Sequence, residues 1–288
     1  MYTYQTLENT DHQLLHRIFS EAFSDYMVTM DVPFDAFENM LQGRGFAPRH
    51  SIGAFTNSGQ ELVGFVLNGK RNRQDKSSAY DIATGIVPTH RKRGVGNGMF
   101  QKVVEVLTQD HVEQYILEVL QPNQAAFELY KKQGFSIAKS YGVFKLAKND
   151  YVPKPHANHV EYVQQFETND WKCLSSFWDF EPSWQNSIDT IKAIPHAFHC
   201  AVVRLDNQIV GYGLIDKNTG DIPQIAVRKD YRRKGIAGSI VAALVERTQG
   251  SRIRVINVED RCEEMKLFLR NEGFDEYVKQ YEMVLPIG

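Results

Sequence analysis

Ile86-Val87-Pro88-Thr89-His90-Arg91-Lys92-Arg93-Gly94-Val95-Gly96-Asn97-Gly98 reads as a strand end, a basic glycine-rich turn and the start of a helix. The apolar residues of that helix follow at Met99, Phe100, Val103, Val104, Val106 and Leu107. Such a turn leaves the first N–H groups of the helix unpaired, with the positive end of the helix dipole behind them, and so suits a phosphate. The glycines let the backbone come close to the anion, and Arg91, Lys92 and Arg93 add charge for it. The chain then repeats the pattern as Ile225-Ala226-Val227, Arg232-Arg233-Lys234-Gly235-Ile236-Ala237-Gly238 and an apolar helix through Ile240, Val241, Leu244 and Val245.

Other landmarks recur at a similar distance. Gly94 and Gly235 are 141 residues apart, Gly134-Phe135 and Gly273-Phe274 are 139 apart, and Val63-Gly64-Phe65 matches Val210-Gly211-Tyr212. A period this long is a duplicated domain, since solenoid repeats recur every 20 to 50 residues or so. The 288 residues, 42% of them hydrophobic, suffice for two cores. We expect one domain over 1–147, a polar linker with two prolines over 148–158, and a second domain over 159–288.

A net charge of −2 gives no global field for nucleic acid or an anionic membrane. The basic runs sit inside the two turns and lack the interleaved aromatics of a single-strand groove. Cys173, Cys200 and Cys262 show neither metal-ligand nor disulfide-framework spacing, and no stretch approaches the roughly 18 apolar residues of a membrane span. The expectation is a cytoplasmic protein without metal, nucleic-acid or membrane partners, with a homo-oligomer left open.

Periodicity orders the first half as a strand at 3–7, a helix capped by Thr10-Asp11, and a short helix after Pro33. A hairpin around Asn57-Ser58-Gly59, a strand at 79–87, the turn and its helix, a strand at 114–120, a helix at 123–133 and a strand at 137–146 follow. The second half repeats this: strand 159–166, helices near 171–180 and 184–194, hairpin 198–214 turning at Asp206-Asn207, strand 222–227, a helix after Gly238, strand 252–258, a helix to Arg270 and a strand near 276–285.

Two other phosphate sites do not fit. A Walker loop needs Gly-Lys-Ser or Gly-Lys-Thr, which neither turn has, and Gly94-Val95-Gly96-Asn97-Gly98-Met99 breaks the G-x-G-x-x-G dinucleotide pattern after four candidate strands. Arg91-Lys92-Arg93-Gly94-Val95-Gly96 and Arg232-Arg233-Lys234-Gly235-Ile236-Ala237 instead resemble the acyl-CoA signature of the GNAT N-acetyltransferase superfamily. Asn123-Gln124-Ala125-Ala126-Phe127-Glu128-Leu129-Tyr130-Lys131-Lys132-Gln133-Gly134-Phe135 resembles the family's fourth-helix pattern throughout. The resemblance covers nearly the whole chain and implies an α+β (mixed α/β) protein of two tandem GNAT-like domains, each a splayed mixed sheet flanked by helices.

It also implies acetyl-CoA as cosubstrate, with its pantetheine arm between the fourth and fifth strands. Gly85, Ile86 and Val87 would then face the pantetheine, and Arg91, Lys92, Arg93, Gly94, Val95, Gly96, Asn97, Gly98 and Asn123 would bind the cofactor. Acetyl transfer to an amine needs a base for the amine, a polarised carbonyl and a proton for the departing thiolate. Tyr130 resembles the family's general acid, although a tyrosine packed on an apolar helix face explains it too. Asp81 is the candidate base, with Glu118 as runner-up, Thr84 as a supporting contact and a strand-end hydrogen bond as the plain alternative. Asp25, Asp31, Asp35 and Glu38 fall where the family builds its acceptor pocket, although a solvated charged face accounts for most of them.

The second half departs from the pattern: Phe268 replaces Tyr130, Glu264 replaces Ala126 and Arg261 replaces Asn123, with Asp221 near the position of Asp81. Arg232, Arg233, Lys234, Gly235, Ile236, Ala237 and Gly238 form a second candidate cofactor site without an acid. The leading expectation is an N-acetyltransferase acting on a small-molecule or peptide amine, with the first domain active. The alternatives are a non-catalytic acyl-CoA-binding protein and a mycothiol-synthase-like transferase active in its C-terminal domain.

Overall fold

The computed structural model describes residues 2–26, 31–56, 61–155 and 158–288. In order these form β1 (Tyr2–Thr6), α1 (His12–Ala22), α2 (Phe34–Arg44), β2 (Ile52–Thr56), β3 (Leu62–Arg73), β4 (Lys76–Ile86), α3 (Val95–Gln109), β5 (Gln114–Leu120), α4 (Gln124–Lys132) and β6 (Ser136–Ala147). The second series is β7 (Glu161–Val163), α5 (Thr168–Leu174), α6 (Ile188–Ala193), β8 (Phe198–Leu205), β9 (Gln208–Asp216), β10 (Gln224–Val227), α7 (Ile236–Arg247), β11 (Arg252–Glu259), α8 (Glu263–Asn271) and β12 (Asp275–Pro286). The expected turn at Asn57-Ser58-Gly59 lies outside the described residues.

The expected order of elements recurs, with differences that have local causes. Strands β3 and β4 run further than periodicity suggests, because Gln74 and Asp75 both take positive φ (52° and 60°) and close a two-residue hairpin between Arg73 and Lys76. Asp206 and Asn207 make the same turn between β8 and β9 (φ 49° and 61°). In the second half β7 keeps only three residues and α5 stops at Leu174. Helix α7 starts at Ile236, two residues before Gly238.

The chain divides into two compact units, and neither is a continuous stretch. Unit 1 comprises Met1–Val119, Asn123–Ala138 and Glu282–Gly288, while unit 2 comprises Leu120–Pro122 and Lys139–Tyr281. The expected halves, 1–147 and 159–288, thus differ from the units in three pieces, the shortest being Leu120–Pro122, which belongs to unit 2. Most of β6 joins unit 2, where it pairs antiparallel with β11, and the end of β12 joins unit 1. The expected linker is fastened to unit 2: Lys148 bonds the Thr248 carbonyl, Tyr151 Oη donates to Glu272 at 3.4 Å, and Asn158 Nδ2 donates to the Lys234 carbonyl at 3.0 Å. His156 and Ala157 lie outside the described residues.

In unit 1 the strand order runs β1-β2-β3-β4-β5 and continues to β12. Strand pairing is antiparallel from β1 to β4, and β4 meets β5 in parallel only over Ser78–Tyr80 and Gln114–Ile116. Among the described residues the two strands do not pair beyond Tyr80. Alternation along β3 sends neighbouring residues to opposite faces of the sheet. Gly64 faces α3, where an added Cβ would lie 3.4 Å from Met99, while the Phe65 ring stacks on Phe19 of α1, 6.1 Å between centroids.

Unit 2 is built on the same alternation. Gly211 and Gly213 of β9 leave room for Ile236 and Ile240 of α7, while Tyr212 between them packs its ring among Phe166, Trp171 and Phe177. Its sheet runs β10-β9-β8-β7, with β12, β6 and β11 forming the other run of strands. The segment entering β10 meets β11 in a parallel bridge between Asp221 and Arg254, with the Ile222 N–H donating to the Arg254 carbonyl at 2.8 Å and the Arg254 N–H to the Gly220 carbonyl at 3.1 Å.

Candidate functional site

Both glycine turns have the same backbone. Lys92 and Gly94 take positive φ (58° and 81°), as do Arg233 and Gly235 (62° and 76°). Gly94 and Gly235 are the N-caps of α3 and α7, and neither helix start is capped by a side chain. The leading N–H groups of each helix are therefore available to an anion. A Cβ on Gly94 would meet nothing within 4 Å, so glycine is held there by backbone conformation. The turns thus fit a phosphate.

The first arginine of each turn has another task. Arg91 Nε donates to the Ile86 carbonyl at 3.0 Å, Nη2 to the Ala22 carbonyl at 2.7 Å, and Nη1 to Asp25 at 2.7 Å. Arg232 repeats this on the Val227 carbonyl, the Phe177 carbonyl and Asp179, each at 3.0 Å. Each guanidinium staples the strand end to the segment after the first helices. Asp25, expected near an acceptor, is the carboxylate of that staple. Lys92, Arg93, Arg233 and Lys234 are exposed.

The other expected cofactor residues are placed as follows. Gly85 pairs with Phe65, whose ring lies 2.6 Å from where a Cβ would stand. Val87 N–H is bonded to the Val63 carbonyl at 3.0 Å. Val95 and Gly96 are buried, Gly96 against Ile86 and Leu129. Asn97 accepts from Gln133 at 2.6 Å, and Gly98 makes room for the Tyr4 ring. Asn123 caps α4 by accepting from the Ala126 N–H at 3.2 Å, and its amide donates to Tyr26 Oη at 3.3 Å.

Asp81, Thr84 and Tyr130 come together in unit 1. Residues three apart in a regular strand face opposite sides, but the register with β3 shifts here: Ala83 faces Leu67 and Asp81 faces Asn68, which leaves Ile82 as an extra residue. The bulge turns Asp81 to the side of Thr84, whose hydroxyl donates to Asp81 Oδ2 at 2.7 Å. Asp81 Oδ1 is buried and has no hydrogen-bond partner among the described residues. Burial is the main cause that raises this carboxyl to about 7, against the opposing pull of the Thr84 bond. Tyr130, on α4, is 8% exposed and packs edge-on against Phe100, 5.4 Å between centroids. Burial, and then the Asp81 charge, push its phenol well above the ordinary range, while the nearby Thr84 hydroxyl pulls the other way. Tyr115 Oη donates to the side chain of buried Asn68 at 2.7 Å, and neither residue carries a motif signal in the sequence.

The remaining acidic candidates are placed as follows. Glu118 is half-buried in β5. Asp31 and Asp35 are exposed, and Glu38 pairs with His12 at 2.8 Å.

Unit 2 holds a cavity of about 630 Å3 beside its turn, lined by β10, the start of α7, β11 and α8. Phe268 lines it where Tyr130 stands in unit 1, and exposed Glu264 stands at its edge. Asp221 is committed elsewhere, in a two-pronged pair with Arg254 at 2.6 and 2.8 Å. Cys262 is buried, and burial raises its thiol, so it offers no nucleophile. Among the described residues no helix is long and apolar enough to cross a membrane.

The acetyltransferase (GNAT) family model matches residues 12–135 and 163–274. No curated protein matches the sequence. Among solved structures, a GCN5-related N-acetyltransferase from Sphaerobacter thermophilus superposes with a TM-score of 0.72 at 15% identity, covering 99% of this chain and 96% of its own. A tandem GNAT protein from the clavulanic acid biosynthesis pathway gives a TM-score of 0.72 at 14% identity, covering 100% and 99%. A putative acetyltransferase from Pyrococcus horikoshii gives 0.71 at 16% identity, covering 99% and 89%. Two family matches, two copies of one turn and full-length likeness to a tandem relative lead to one conclusion: the chain is a tandem member of the GNAT acetyltransferase family.

Proposed function

We propose that the chain is an acetyl-CoA-dependent N-acetyltransferase whose first unit carries the reaction on an amine acceptor. The observation that supports this most is the buried Asp81, raised to about 7 and holding one unpartnered oxygen, in one group with Thr84 and Tyr130. A base near neutrality can take a proton from an amine and release it again. In this reading the amine nitrogen attacks the thioester carbonyl carbon, the C–N bond forms and the C–S bond breaks. The amine proton goes to Asp81, and Tyr130 gives its proton to the departing thiolate. Thr84, beside both groups, passes the proton from Asp81 back to Tyr130 and resets the pair.

The α3 turn would hold the cofactor phosphates through its uncapped N–H groups and exposed Lys92 and Arg93. Activity in the second unit is disfavoured by Phe268, since a phenyl ring has no proton to give. The cytosol is the proposed setting, supported by three cysteines that are all free thiols. Thiol release from acetyl-CoA, followed across a panel of polyamines, amino acids, aminoglycosides and peptide N-termini, tests the reading. It requires release that depends on one class of amine, and amine-independent release with every class would contradict it.

A further inference from the structure

Tyr26 stands beside Asn123 in unit 1 and carries no motif signal in the sequence. It follows directly on the Arg91 staple, whose Nη1 and Nη2 hold the two Asp25 oxygens at 2.7 and 2.8 Å. The Tyr26 N–H is bonded to the Phe23 carbonyl at 3.1 Å, and its ring stands edge-on to Phe23, 5.3 Å between centroids. Backbone and ring are both held, so the hydroxyl is delivered to a set place.

The bond to Asn123 decides what that hydroxyl can do. Asn123 Oδ1 is taken by the Ala126 N–H at 3.2 Å, so the amide presents its Nδ2 to Tyr26, and Tyr26 Oη accepts there at 3.3 Å. An oxygen that accepts this bond keeps its own hydrogen for another partner, and among the described residues none takes it. Tyr130 comes seven residues after Asn123, about two turns along the same face of α4. Helical side chains lean toward the N-terminus, which brings the Tyr130 phenol up toward Asn123 and Tyr26. The two phenols feel each other: after burial and the Asp81 charge, Tyr26 is the next cause that raises the Tyr130 phenol.

Unit 2 repeats the staple without the hydroxyl. Phe180 follows Asp179 as Tyr26 follows Asp25, and Phe180 lines the cavity beside the α7 turn. The position thus faces the cleft in which the acyl-CoA reading puts the cofactor. An attacking amine spends its lone pair on the carbonyl carbon and has none left for a donor. The sulfur gains negative charge as the C–S bond breaks, and a fixed donor counts most where charge develops.

We propose that Tyr26 is a second phenol on the departing sulfur: it donates a hydrogen bond to the thiolate and keeps its own proton, while Tyr130 supplies the proton that makes the thiol. The proposal rests on the transferase reading for the identity of the sulfur, and it adds a residue that reading does not require.

CoA itself is the probe, because its thiol is the product of the transfer. Full-length wild type and Tyr26→Phe are loaded with CoA, and ionisation of the bound thiol is followed across pH by the ultraviolet absorbance of the thiolate. A donor to the thiolate favours the charged form, and a hydrogen bond to a charged group is worth about tenfold or more. The bound thiol should therefore ionise about one pH unit or more higher in Tyr26→Phe than in the wild type. Melting temperature and CoA affinity below the thiol's ionisation range should be unchanged, since the variant keeps the ring and its packing on Phe23. CoA held by unit 2 ionises alike in both proteins and serves as an internal reference. Identical ionisation in the two proteins would overturn the proposal, and a lowered melting temperature beside identical ionisation would leave Tyr26 a structural clasp only. A wild type that binds no CoA would remove the acyl-CoA reading together with this proposal. Amine-dependent thiol release that persists beside identical ionisation would leave the transferase reading standing and this one refuted.

Discussion

With Asp81 as the proposed base, stability and activity would share one pH window. An aspartate ordinarily ionises near 3.9, and burial raises this one to about 7. A raised carboxyl pKa favours the folded state fully below about 4, and this contribution is lost as pH rises through about 7. Melting temperature should therefore fall across pH 4 to 7 in the wild type and fall less in Asp81→Asn, whose amide is uncharged throughout. Activity should run the other way, with kcat/KM rising through a midpoint near 7 and Asp81→Asn losing that limb. A wild-type profile flat from pH 5.5 to 8.5 would remove Asp81 as the base. That Asp81 belongs to the strand leading into the turn and Tyr130 to a later helix was legible in the sequence, because a turn and a helix pattern set their neighbours; the catalytic roles proposed for them are not read from it. Thr84 carried little weight there, since regular alternation puts residues 81 and 84 on opposite faces and only the bulge at Ile82 brings them together.

At the scale of elements, the strand-turn-helix unit explains why its glycines are not equivalent. Gly94 has φ 81° and open space around a would-be Cβ, so Gly94→Ala should cost about 1–2 kcal/mol from the left-handed backbone alone. Gly96 lies inside α3, where a Cβ would meet Ile86 and Leu129 at 3.4 and 3.6 Å, and the second copy carries Ala237 at this position. Gly96→Ala should then be neutral or stabilising by up to about 1 kcal/mol. Thermal melts of the two variants check this, and equal losses would contradict it. The first arginine shows the limit of reading a motif by charge. Arg91 and Arg232 looked like phosphate ligands beside their glycines, yet each is bound to two carbonyls and a carboxylate of its own unit. The carbonyls belong to residues as far as 69 positions away, beyond the reach of any local pattern.

For the whole molecule, duplication was legible from the spacing of the turns, but the division into units was not. Both expected halves contain a full set of strands, and no property of β6 or β12 taken singly says which unit each will join. The tail is anchored in unit 1 by the Ile287 N–H bond to the Glu113 carbonyl at 2.9 Å and by Leu285 beside Gly134. Deleting Glu282–Gly288 should therefore raise amide exchange in β5, and a chain ending at Ala147 should be less stable than unit 1 within the full protein. Unchanged β5 protection after the deletion would show that the tail contributes nothing to unit 1.

The central claim is that one unit finishes the reaction with Tyr130 while the other has only a phenyl ring in its place. Steady-state kinetics of Tyr130→Phe, with an accepted amine and acetyl-CoA both saturating, test it most directly. The account predicts a kcat lower by about 100-fold or more, the usual weight of a positioned proton donor, with acetyl-CoA affinity unchanged. An unaltered kcat in Tyr130→Phe would contradict it.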